Sequence, residues 1–449
     1  MQEGGFAMSK PVQGTPATVP VSATQAGNVR DRWSWAAAEV WTERMLTALE
    51  QGVKGGVWFS LMDKVFSRRN LEAAATQVVG NRGAAGVDHM SVDQFSGDLA
   101  TNLDRLHDGL RRDTYVPQAI RRHWIPKPGS TDMRPLGIPT VRDRVVQTAL
   151  RHVLEPIFER DFAAHSYGFR PGRGCKDALR RVQELLTAGY VHVVDADLKS
   201  YFDTIPQDRL VDLIRRKVAD GRVLALIEAF LKQGVLDGLS EWTPEQGTPQ
   251  GAVISPLLAN IYLDPLDHHM AEKGFAMVRY ADDFVILCRS ADEAERALAE
   301  VQAWVAEAGL QLHPTKTRLV RAEQEGFDFL GYHFRGSRKH WPRQKSRNKL
   351  YDTIRSKTRR NNGHSLAVIV ANVNRTLVGW FGYFKHSLRR SLATIDSWVR
   401  MRLRSILRRR AGLRGRGRGD DHHRWPNAYF AEQGLYSLVA AHALACQSP

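Results

Sequence analysis

The chain has 449 residues, 43% of them apolar and 9% aromatic, which is the composition of a folded protein rather than a disordered or fibrous one. Its 64 Lys and Arg outnumber 48 Asp and Glu for a net +16, and residues 335–418 alone carry 24 Lys and Arg against Asp352 and Asp396. That section is +22 and the remainder −6, a distribution that points to a polyanionic partner, most simply nucleic acid.

Cys175, Cys288 and Cys446 stand far apart with no CxxC pair, which argues against a disulfide framework or a zinc knuckle. No apolar run approaches the roughly 18–20 residues of a membrane helix. The first residues lack the basic start and apolar core of a signal peptide. A cytoplasmic chain of a reducing compartment with no membrane partner is therefore expected.

In chain order, residues 1–32 are rich in Gly, Pro, Thr, Ser and Gln and are expected to form a disordered arm. Apolar residues recur at helical spacing from Trp33 to about Phe66, and Asn81–Asp88 (NRGAAGVD) reads as a Gly-punctuated loop. Leu99, Leu103, Leu106 and Leu110 predict one helix over 91–112, a core stripe of no functional weight. His192–Asp197 reads as a strand, Met277–Cys288 as two strands meeting at a turn, and Ala291–Ala308 as an amphipathic helix. This alternation predicts an α+β domain with a mostly antiparallel sheet. From Tyr351 to Arg410 the pattern is helical; RGRGRG (414–419) reads as a hinge, and Arg424–Leu438 as a small terminal module.

The chemistry starts from acids in apolar surroundings. Asp282 and Asp283 lie in MVRYADDFVILC, where adjacent carboxylates repel each other and call for a compensating cation. Taken alone, the pair is better explained as an ordinary hairpin turn. Asp195 and Asp197 sit two apart at the end of an apolar strand, hence on one face. Carboxylates converging from two strands make a hard-oxygen site suited to Mg²⁺, and two such ions serve in-line phosphoryl transfer.

Two loops fit a nucleotide site. GTPQGAVISPLLANIYL (247–263) is a Gly/Pro loop entering a helix, and it is not a Walker loop. In His123–Leu150, Lys127 and Arg134 stand seven apart across a turn, so a β-hairpin aims both at one triphosphate. A solvated basic loop is the commoner explanation of such a pair.

Taken together, NRGAAGVD, IPKPGSTDMRPLGIPTVRDRVVQ, SYGFRPGRGCKDAL, DLKSYFD, TPQGAVISPLLANIYL, YADD, GLQLHPTKTRLV and FDFLGYHF resemble, in this order, the reverse transcriptase domain of group II intron-encoded proteins. The resemblance covers about residues 60–335 and implies a right-hand polymerase with fingers, palm and an all-helical thumb. It implies that Asp197, Asp282 and Asp283 bind two Mg²⁺ (or Mn²⁺) and that Asp195 is only a neighbouring acid. Phe202 matches a steric gate against the 2′-OH, Lys127 and Arg134 the cations that clamp the triphosphate, and Gln250 the residue beside the nucleotide sugar. Lys316 resembles a lysine near the triphosphate, and Leu330, Gly331 and Tyr332 resemble the primer grip. Two blocks depart from the family pattern, at Gly174, Cys175 and Lys176 and at Ala85, none of them catalytic positions.

Residues 340–410 are similar to the thumb and maturase region, domain X, with TLVGWFGYFKHS (376–387) the clearest block. By resemblance this section grips intron RNA and template–primer, with Arg355, Lys357, Arg359, Arg360, Lys385, Arg404, Arg408, Arg409 and Arg410 as RNA-binding candidates. The implied division is an N-terminal extension with fingers over 33–190, palm over 191–338, thumb over 339–412 and a DNA-binding-like module over 413–449. The module resembles members without an HNH endonuclease, although Asp420, Asp421, His422 and His423 are adjacent. Expected partners are intron RNA, the DNA target and primer, and dNTPs. Alternatives are a reverse transcriptase of a retron, diversity-generating or CRISPR-associated system, or a splicing factor with unused polymerase.

Overall fold

The computed structural model describes residues 28–126, 133–238, 240–337, 339–414 and 419–447. The arm (residues 1–27 of it), Lys127 and most of RGRGRG lie outside them.

The N-terminal layer is helical. The spacing from Trp33 to Phe66 yields only one helix of two turns or more, Glu43–Gln51, which ends at Gly52 (φ +91°), and Gly55 and Gly56, also at positive φ, interrupt the turn that follows. The single helix expected over 91–112 is two, Val92–Gly97 and Leu99–Arg111. A capping box from Ser91 starts the first, and the chain turns at Asp98 (φ −125°, ψ 46°) after a glycine that weakens helix continuation. Leu103, Leu106 and Leu110 do form the buried stripe.

A hairpin follows, β1 (Ile120–Pro126) and β2 (Met133–Ile138), antiparallel with Arg122 opposite Gly137 and Ile125 opposite Arg134. Next come α1 (Val141–Glu159) and α2 (Cys175–Thr187), then β3 (His192–Asp197). Strands β4 (Val235–Asp237) and β5 (Ser240–Trp242) extend the hairpin sheet, β4 pairing in parallel with β1.

Helix α3 (Ser255–Glu272) leads to the hairpin β6 (Ala276–Tyr280) and β7 (Asp283–Cys288), then α4 (Ala291–Glu307) and β8 (Arg318–Arg321). The central sheet is β6-β7-β3-β8, antiparallel throughout, as the alternation predicts. Both faces are buried at β7, which reads as a nearly continuous apolar run. Val194, Phe284 and Ile286 pack towards α3 and the N-terminal helices, while Val193, Val285 and Leu287 pack towards α2 and the next sheet. That sheet is β9 (Phe327–Phe329), β10 (Tyr332–Phe334) and β11 (His340–Pro342).

The basic section forms α5 (Gln344–Lys357), α6 (Leu366–Phe384) and α7 (Arg389–Arg410) around Ile354, Val373, Leu377 and Leu403. Phe430 and Leu438 of the terminal segment are fully buried in this same core. The described residues 419–447 thus share the core of these helices and have no separate core of their own. Phe381 and Phe384 are buried and Trp380 and Tyr383 half-buried. No described helix is long and apolar enough to cross a membrane.

Candidate active site

The central sheet positions the acids. Asp197 ends β3 and lies directly opposite Asp283, the first residue of β7. Asp282 occupies the β6–β7 turn, which Ala281 makes possible at φ +60°. Ser200 (φ +50°), just after β3, and Leu330 (φ +46°), between β9 and β10, are also left-handed. Non-glycine residues in that region cost of order 1 kcal/mol or more, and here three of them shape the turns around one cleft.

The turn is held from below. Arg279 is fully buried and donates from Nε to Asp267 Oδ1 (2.8 Å) and from Nη1 to Asn260 Oδ1 (3.1 Å) and Ala281 O (2.9 Å). The SYGF block packs on its other side, with Tyr167 N donating to Arg279 O (2.9 Å). A Cβ at Gly168 would overlap the backbone of Tyr280 and Ala281, so only glycine allows this approach.

Burial, then the charges of Asp195, Asp282 and Asp197, push the Asp283 carboxyl up to about 7. Asp282 is also raised, chiefly by burial and further by Asp197, while Arg134 pulls it down. Asp195 pairs with Arg318 (3.0 Å), and Lys316 Nζ meets Asp197 Oδ2 at 2.5 Å. Arg343 adds a further positive charge near Asp283. Such a surplus of clustered carboxylate is what a hard divalent cation relieves, and all-oxygen donors suit it. Among the described residues no three His, Cys, Asp or Glu side chains form a closed metal cage; the ammonium of Lys316 already engages Asp197.

A cavity of about 190 Å³ has walls that include Arg122, Phe202, Asp203, Trp242, Gly247 and Gln250, and Arg134 acts electrostatically both on its Asp203 and on Asp282. Gln250 Nε2 donates to Asp203 Oδ2 (3.0 Å), and Thr248 N donates to Phe202 O (2.6 Å). The loop is tied to the fingers hairpin through Gly137 N donating to Gln250 O (2.6 Å). Arg122 stacks over Trp242 at 4.6 Å, and both Arg122 and Arg134 act electrostatically on Asp203. Phe202, Gln250 and Arg134 are thus brought together, and Arg122, Asp203 and Trp242 join them unforeseen. The period-two pattern of β1, which puts Arg122 and Trp124 on one face, was the available signal. Arg279 was legible only as the cation the paired acids demanded; it acts through Asp267 and the turn.

The model for reverse transcriptase (RNA-dependent DNA polymerase) matches residues 125–334, and that for the group II intron, maturase-specific domain matches residues 347–424. Protein YkfC of Escherichia coli is 33% identical over 344 residues, covering 68% of this chain and 89% of that protein. The chain belongs to the group II intron reverse transcriptase and maturase family. The group II intron-encoded protein LtrA of Lactococcus lactis is 40% identical over 196 residues, 43% of this chain and 32% of LtrA, so the match spans only about a third of that relative. Among solved structures, telomerase from Candida albicans aligns over 66% of this chain and 62% of that one (TM-score 0.42, 12% identity). A Cas6-RT-Cas1–Cas2 complex aligns over 55% and 42% (TM-score 0.36, 24% identity).

In the maturase-specific region of this reverse transcriptase, the nine basic candidates separate. Arg355, Arg359, Arg360, Arg409 and Arg410 are exposed. Lys357 is partly turned inward, donating to Asn372 O (3.1 Å) and Thr376 Oγ1 (2.5 Å). Arg408 pairs with the buried Asp421 (2.9 Å), which also removes Asp421 from any metal site with His422 and His423. Arg404 does not fit an RNA contact. It is 2% exposed, donates to Trp425 O (2.9 Å) and Asn427 Oδ1 (2.8 Å) and lies over the Phe430 ring. The tail closes over that face of α7, so Arg404 anchors the tail.

The turn at Leu330–Tyr332 divides similarly. Tyr332 is buried in the core with its hydroxyl donating to Tyr383 O (2.8 Å), and Tyr383 returns a bond to Leu330 O (2.7 Å). Leu330 and Gly331 are partly exposed at the turn, and Tyr332 fastens it to α6.

Proposed function

We propose that this protein is the RNA-directed DNA polymerase and maturase of a group II intron, which binds its intron RNA to assist splicing and reverse splicing and copies it into cDNA during retrohoming. The observation that carries the reading is the convergence of Asp197, Asp282 and Asp283 at one end of the central sheet, with Arg134 acting both on Asp282 and on the Asp203 that helps wall the Phe202–Gln250 cavity. Asp197, Asp282 and Asp283 would hold two Mg²⁺, which when bound activate the primer 3′-hydroxyl and neutralise the triphosphate.

The chain's own groups do the positioning. Arg134 supplies fixed positive charge for the triphosphate, Lys127 is assigned the same role by resemblance alone, and Lys316, paired with Asp197, would transfer to a phosphate. Gln250, fixed by Asp203, fits the sugar edge, and Phe202 fits under the ribose. Leu330 and Gly331 fit the primer end. Positioning and electrostatics supply most of the rate in such a transfer. The exposed arginines of α5, of the turn after it and of α7 suit RNA phosphates, and the DNA target and primer follow from the same reading.

Phe202→Val is expected to raise ribonucleotide incorporation relative to deoxynucleotides by about 10- to 100-fold, the range a steric contact gives. Single-nucleotide extension with dNTP and rNTP checks this; unchanged discrimination removes Phe202 as the gate. For the maturase half, stimulation of group II intron splicing by the purified protein at limiting Mg²⁺ is the test. Arg359→Ala, Arg360→Ala and Arg409→Ala together should weaken intron binding and reduce its salt slope by about 2–3 without altering thermal stability. Arg404→Ala should instead lower thermal stability by about 2–3 kcal/mol, because it strips buried bonds from the tail.

A further inference from the structure

A second cavity, of about 410 Å³, lies between α2, the β10–β11 sheet and the end of α6. Its volume falls in the range of roughly 300–1,000 Å³ typical of small-molecule sites. Lys176 and Arg180 stand on one wall and Lys385 on the other, and no Asp or Glu lines it. Asp177, outside the lining, pairs with Arg180 at 3.0 Å and leaves the set net positive. The remaining walls are Leu179, Gln183, Phe334, Tyr383, Tyr332 and the imidazoles of His340 and His386, and His340 Nδ1 is buried without a hydrogen-bond partner. Burial, then the neighbouring lysines and arginine, lowers the pKa of His386. The floor is the Tyr332–Tyr383 pair that fastens the turn at Leu330–Tyr332.

We propose that this cavity binds one unstacked nucleotide of the bound RNA, its phosphate on Lys176, Arg180 and Lys385 and its base against Tyr383 and the two imidazoles. The proposal rests on the RNA-binding reading above. Cations supply the backbone term, and aromatic faces receive any base without sequence preference. It also makes the occupied cavity a brace behind Leu330–Gly331.

The test is fluorescence anisotropy of single-stranded and fully paired RNA on the intact protein, together with crosslinking of 4-thiouridine RNA. Leu179→Trp fills the cavity without changing charge. It should weaken single-stranded binding about tenfold and leave duplex binding unchanged, since one stacked base is worth about 1–3 kcal/mol. Lys176→Ala with Lys385→Ala should weaken both and flatten the salt dependence. In the wild type, crosslinks should map to peptides containing residues 176–183 or 383–386. A folded Leu179→Trp protein that binds both RNAs as the wild type does, or crosslinks that all map elsewhere, overturns the proposal. A wild type that binds no RNA overturns the broader reading instead.

Discussion

Asp282→Ala is expected to reduce cDNA synthesis on an RNA template by on the order of 10³-fold or more, with RNA binding and splicing assistance essentially unchanged. The reason is where the residue sits. Asp282 is held in a strained turn above Arg279, within electrostatic reach of Asp197, and it takes no part in the thumb core. Removing it takes a carboxylate from the cation site, and loss of one preorganised charge at a reacting centre costs about 10²–10³-fold even when no metal ligand is lost. Combining it with Asp283→Ala should add little, because residues that act as a unit are not additive. Primer extension and intron-RNA binding, measured on the same preparation, check both halves. Equal loss of RNA binding in a folded variant would mean that chemistry and RNA recognition are not separable in this way.

Arg279→Ala is expected to produce the largest loss of stability of any single change considered. Arg279 and Asp267 are 0% exposed, and the guanidinium joins Asp267, Asn260 and the carbonyl of Ala281 in one network. Deleting one partner of a buried pair leaves the other charge uncompensated, at a cost of about 3–5 kcal/mol. Urea unfolding should show a markedly lower midpoint, and the surviving folded fraction should extend primers poorly because the Ala281–Asp282 turn has lost its support. Asp267→Asn, which keeps hydrogen bonding and removes the charge, should be the milder change. An Arg279→Ala protein of wild-type stability would show that the pair contributes nothing to the palm.

These two residues also mark how far the sequence could be read. The acids were legible because carboxylates interrupting apolar strands are costly unless used, and β3 and the β6–β7 hairpin occur where the alternation places them. Arg279, one residue in an apolar strand, gave no sign of its partner, since Asp267 lies on a helix and meets it only through the fold. Helical spacing over 91–112 was real, yet the break at Gly97–Asp98 came from local backbone preference. Among the basic residues, composition gave the charge of the section but not its faces. Arg404 and Arg409 read alike in RSILRRR, and only the tail packed through Trp425 and Phe430 makes one an anchor and leaves the other exposed. Tyr332 likewise is defined by Tyr383, fifty-one residues away.

The most direct measurement of the central claim is extension of a DNA primer on an RNA template by the purified chain, with dNTPs and Mg²⁺, compared with the same reaction in excess EDTA. Full-length cDNA with Mg²⁺, none with EDTA, and none from Asp282→Ala is the predicted result. RNA binding at normal affinity with no extension under any divalent cation would contradict it, and would leave a protein that holds RNA and does not copy it.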